Sequence, residues 1–120
     1  DPATAKTDVA QEWSRAQSFD ATTLTDAVSI AWDAALNQVA SVTLGGNRTL
    51  ANPSNVSDGG TYVLIVRQDA TGNRTLGYGG AYKWPGGTAP VLSTGANAVD
   101  VMTFVSDGTN LFGVCVNGFE

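Results

Sequence analysis

The chain of 120 residues has no histidine and a single cysteine, Cys115. Without histidine it lacks the side chain most used for proton transfer near neutral pH, which is also the commonest zinc ligand. One thiol can neither build a thiolate zinc cluster nor close a disulfide within the chain. Charge is scarce as well: 14% of residues are charged, against about 25% in an average soluble domain. The six Lys and Arg are scattered and the net charge is −5, so nucleic-acid phosphates find no clustered basic footprint. No run approaches the ~20 apolar residues of a membrane span, and the N-terminus shows no basic-then-apolar leader pattern. GxSxG, P-loop, GxGxxG and EF-hand spacings do not occur. These absences argue against an enzyme, a bound cofactor or metal, a nucleic-acid partner and insertion into a membrane.

What replaces charge is Gly, Ala, Thr, Val and Asn. A chain with so little surface that must stay hydrated is expected to hide part of it against other subunits, since interface cores are depleted in charge. The first nineteen residues differ from the rest. Asp1-Pro2 suits a helix start, because Asp caps backbone amides and Pro fits the first turn. Val9, Trp13 and Ala16 then recur at helical spacing among Gln11, Glu12, Arg15 and Gln17. One narrow stripe cannot hold so short a helix alone in water. We therefore expect residues 1–19 to be a helical stem or docking segment, with Val9, Trp13 and Ala16 as contacts between subunits.

Residues 20–120 read as a β-rich domain. Val28, Ile30 and Trp32 alternate with small or polar residues, although Ala31, Ala34, Ala35 and Leu36 would also suit a short helix. Val39, Val42 and Leu44 follow. Thr61 to Arg67 is apolar on both faces, as expected of a central strand. Val99 to Val105 and Leu111 to Val116 flank Ser106-Asp107-Gly108-Thr109-Asn110, and Asp-Gly between apolar runs signals a hairpin. Frequent Gly-rich turns predict a mainly β fold, a small sandwich or jelly-roll-like domain. One echo occurs: Gly46-Asn47-Arg48-Thr49-Leu50 returns as Gly72-Asn73-Arg74-Thr75-Leu76. Two copies fall short of the three units a solenoid needs, so the echo reads as turn chemistry used twice.

Candidate chemistry is thin. Asp58 and Asp107 each precede glycine, where capping of the turn backbone explains them better than a carboxylate pair for hydrolysis. Tyr78, Tyr82 and Trp84 are grouped among glycines, as a sugar-binding loop would have them. The plainer reading is that Tyr82 and Trp84 fill a core or subunit interface. Arg48, Arg67, Arg74 and Lys83 read as a solvated face. Sequons at Asn47, Asn55 and Asn73 read as chance products of an Asn- and Thr-rich chain. Cys115, in an alternating apolar run, reads as a small core residue, with an intersubunit bridge as the alternative.

The runs Val42 to Leu50 and Val99 to Thr109 resemble the β-domain of bacteriophage fibre, tail and virion-surface (decoration) proteins, and the resemblance extends from about Phe19 to Phe112. It implies a structural virion protein at the particle surface. Such domains are typically homotrimers with a helical or coiled stem before them. The N-terminal segment would then dock on other virion proteins while the β-domain projects outward. The alternative it leaves open is a receptor- or glycan-binding module of a tail fibre, with Tyr78, Tyr82 and Trp84 as the ligand loop.

Overall fold

The structure is a computed structural model that describes residues 10, 12 and 14–120. Val9, Trp13 and the Asp1-Pro2 cap lie outside the described residues. Of the expected stem, residues 14–19 form a bend and irregular chain without a helix, and Ala16 is exposed. No α-helix occurs among the described residues.

Nine strands follow: β1 (Ala21–Thr23), β2 (Ser29–Ile30), β3 (Val39–Leu44), β4 (Arg48–Leu50), β5 (Asp58–Gln68), β6 (Leu76–Tyr78), β7 (Tyr82–Lys83), β8 (Val99–Asp107) and β9 (Leu111–Phe119). A six-stranded sheet has the order β1-β3-β5-β8-β9-β7, and a three-stranded sheet the order β2-β4-β6. The chain thus shuttles between sheets. Strands β1, β3 and β5 stack in parallel in the large sheet, and β2, β4 and β6 stack in parallel in the small one. Three successive coils result, where a jelly roll would have antiparallel hairpins. The mainly β expectation holds, but the sandwich or jelly-roll topology gives way to a curled mixed sheet backed by a small parallel one. Gly-rich turns serve both designs, so turn frequency could not tell them apart.

Two strand expectations hold. β5 is central, paired with β3 on one side and with β8 on the other. The hairpin at Asp107-Gly108 joins β8 to β9, with Gly108 at φ +93°, a conformation glycine adopts without strain. Asp107 Oδ1 accepts the amides of Thr109 and Asn110 at 2.9 and 2.7 Å, the expected cap. Asp58 instead opens β5 opposite Asp107, and no side-chain cap from it is seen among the described residues. The possible helix at Ala31–Leu36 is a single turn. Asp33 supplies its carbonyl to Leu36 and Asn37 and its carboxylate to Ala35.

The echo marks where the second and third coils enter the small sheet. It is out of register by two residues, because Arg48 pairs with Leu76 and Leu50 with Tyr78. Leu50 is fully buried, whereas Leu76 only borders the core. The arginines are not merely solvated. Arg48 binds Asp26 at 2.8 Å and Arg74 binds Asp69 at 2.9 Å. Each of these aspartates also accepts a turn amide, from Gly45 and from Gly72. Asn47 Oδ1 accepts the amide of Thr75 and so ties one copy of the echo to the other.

These clamps set the response to acid. The Arg48 hydrogen bond, then the Gly45 amide, hold Asp26 below its ordinary value against some desolvation. The Arg74 hydrogen bond does the same for Asp69, and the Asn110 and Thr109 amides do so for Asp107. Carboxylates with lowered folded-state pKa bind fewer protons folded than unfolded, so stability falls as pH falls. The contribution is complete above about pH 4, near the unfolded carboxylate value, and is lost progressively below it. A melting temperature that is flat from pH 7 to 5 and drops below about pH 4 is the expected calorimetric result. Asp107 is exposed, and Asp26 and Asp69 are partly open to solvent, which keeps the effect modest.

Candidate functional site

The inner faces of the two sheets share one core. Ala40, Val42 and Leu44 of β3, Leu64 and Val66 of β5, and Met102 of β8 meet Ile30 and Leu50 of the small sheet. At the end of this core nearest the β8–β9 turn the side chains become aromatic. Trp32 is the hub, 1% exposed. It stacks on Tyr82 at 6.4 Å between ring centroids and takes Phe104 edge-on at 5.5 Å and Tyr62 edge-on at 6.4 Å. Its Nε1–H donates to the carbonyl of Asn37 at 2.8 Å.

Tyr82 is itself buried, and its hydroxyl donates to the carbonyl of Ala51 at 2.7 Å. Tyr78 and Trp84, both half-buried, extend the cluster outward. Their rings meet at 4.8 Å, and Trp84 also packs on Phe104 at 5.6 Å. The three residues singled out by sequence are therefore brought together, by packing on one another and on Trp32 and Phe104. Burial raises the phenol pKa of both Tyr78 and Tyr82. Both stay neutral in the folded protein at ordinary pH and serve as hydrogen-bond donors.

Sequence reasoning missed how Trp84 reaches this cluster. On β9, Gly113 leaves a gap over which two rings close. A Cβ there would lie 2.9 Å from Trp84 Cζ3 and nearer still to the ring of Phe104. The available signal was a glycine inside an otherwise apolar strand, which often marks close approach of another group.

Two open depressions flank Trp84. One, of about 640 Å³, is bounded by Leu76, Tyr78, Gly79, Gly80, Trp84 and Pro90. The other, of about 530 Å³, lies toward Thr103, Val105, Phe112 and Val114. Neither gathers carboxylates, and among the described residues no group of three His, Cys, Asp or Glu could hold a metal ion. Asp100, which sequence reasoning did not single out, is buried and among the described residues binds backbone only, accepting amides from Ser93 at 2.8 Å and Gly118 at 2.9 Å. Cys115 is half-buried on the inner side of β9. Burial first, then the nearby Asp100 carboxylate, push its thiol up to about 11, which leaves it a poor nucleophile at neutral pH.

No curated protein and no solved structure matches this chain. A match does come from the family described as "Putative phage tail fibre C-terminal domain", over residues 22–111. That span runs from β1 through the β8–β9 turn and takes in the three coils, the small sheet, the large sheet as far as the start of β9, and every ring of the cluster. With three quarters of its length matched, the chain belongs to the family of phage tail fibre C-terminal domains.

Proposed function

We propose that this chain is a non-catalytic structural element of a phage tail fibre, a homotrimer whose β-domain projects from the virion surface. Its N-terminal segment, including Val9, Trp13 and Ala16, joins copies to one another and to other virion proteins. The observation that carries the structural reading is the use made of the aromatic side chains. Tyr82 is buried, and Tyr78 and Trp84 are locked edge-on against neighbouring rings. A sugar platform would instead present a free ring face to solvent.

A second reading, a glycan-binding module, is favoured by one feature: Trp84 is only half-buried and borders both depressions. The substitution Trp84→Ala separates the two. As a packing residue, Trp84 loses contacts with Tyr78 and Phe104, and the variant should be destabilised by about 2–4 kcal/mol. Its melting temperature should fall by many degrees, while adsorption to host cells at low temperature is kept. A variant that melts like the parent yet no longer adsorbs to cells or binds host polysaccharide would reverse the assignment.

A further inference from the structure

Strand side chains alternate between the two faces of a sheet, and the register lets the face opposite the core be followed across the large sheet. One row on that face runs through Ala21, Val39, Val63, Thr103 and Val114. The next runs through Thr23, Ser41, Ile65, Val101 and Val116. Toward the turn the face continues through Val105 and Phe112. Antiparallel strands with one face in water place polar side chains on that face. Strands β8 and β9 do not: Val105, Phe112, Val114 and Val116 are 49%, 47%, 51% and 57% exposed. The depression of about 530 Å³ bordered by Trp84 and Pro85 opens onto the same side chains.

The charges around this face are arranged in a particular way. Its central rows have none. Arg67 stands in the row at one end, Lys83 beside Phe112 at the other, and Asp58 and Asp107 only at the hairpin tip. We propose that this face is a contact surface between copies of this chain, turned toward the rotation axis of the oligomer. Side chains near such an axis meet their own counterparts, so a formal charge there would face like charge. Rows of Val, Ile, Thr, Ser and Ala avoid that repulsion in a chain of net charge −5. An apolar centre with charge confined to the rim is also the anatomy of protein interfaces. A partner attracted to the chain by its acidity would need carboxylates in the centre of the contact, and the central rows provide none. The inference rests on the oligomeric reading above and adds a surface of the β-domain to the contacts that reading gives the N-terminal segment.

The test uses the full chain with Cys115→Ser, to which Thr103→Cys or, as a control away from this face, Ala35→Cys is added. Mild oxidation should link Thr103→Cys into covalent dimers on a non-reducing gel and leave Ala35→Cys unlinked. In the otherwise unchanged chain, the pair Val114→Lys and Val116→Lys should lower the mass by light scattering below that of the parent, with the β-sheet circular dichroism retained. If the lysine variant loses that spectrum, the cross-linking result decides. An oligomer whose mass survives both lysines and whose Thr103→Cys form stays unlinked would overturn this surface and leave the oligomeric reading standing. A parent chain that is monomeric at micromolar concentration would remove both. In that case, a thiol in the Thr103→Cys variant that is shielded from maleimide would assign the face to another segment of the same chain.

Discussion

Replacing Trp32 with alanine is expected to cost about 3–5 kcal/mol, a third or more of the stability of many small domains. The ring is 1% exposed and touches Tyr62, Tyr82 and Phe104, which come from three strands of the large sheet. Removing it empties the junction between the three coils and the hairpin, and flanking rings held by hydrogen bonds cannot readily collapse into the space. It also leaves the carbonyl of Asn37 without the indole donor. Trp32→Phe keeps much of the ring contact and loses that hydrogen bond, so it should cost less than the alanine change. Urea denaturation followed by circular dichroism measures both. An alanine variant within about 1 kcal/mol of the parent would mean that Trp32 is not the hub, since a buried tryptophan cannot be removed so cheaply.

A single methyl group at Gly113 should also be disruptive, though less so than loss of Trp32. The added Cβ falls within van der Waals distance of two rings, Phe104 and Trp84. Neither can yield, because Phe104 is buried against Trp32 and Trp84 is held by Tyr78. Overpacking of this kind costs about 1–3 kcal/mol, and Gly113→Val should cost more than Gly113→Ala. The near-ultraviolet circular dichroism, which reports fixed aromatic packing, should weaken in both variants. Combining Gly113→Ala with Trp84→Ala should be less costly than the two single effects added together, because one of the two clashes has gone. Strict additivity would show that Trp84 does not close over Gly113.

Much of this fold was legible where the strands are long. Thr61 to Arg67 announced a central strand by being apolar on both faces, and the Asp107-Gly108 turn announced its hairpin. What the first of these signals also implied, a second face needing cover, becomes visible only once the register sets Val63 beside Thr103 and Val114. The parallel coils were not legible. Strands β1, β2, β4 and β6 are two or three residues long, too short to show a period of two. The echo that might have revealed the coils is displaced by two residues from their register, and its first-coil counterpart is missing. There the ion-pair carboxylate, Asp26, stands alone in the sequence, 22 positions before Arg48. The grouping of Tyr78, Tyr82 and Trp84 was plain from the residues. Packing was the plainer reading for Tyr82 and Trp84, but their partners Trp32 and Gly113 were hidden, being far away in sequence. Burial of Asp100 was equally hidden, since its partners Ser93 and Gly118 are backbone amides that any sequence would offer.

On the proposed function, the chain is built into a tail fibre as an oligomeric structural part. Electron microscopy of purified particles labelled with antibody against residues 20–120 tests it most directly. Label is expected on the fibres and peptides of this chain in the particle proteome, in a copy number that is a multiple of three per fibre. Particles that carry neither label nor peptides, with the protein found only free in the lysate, would contradict it.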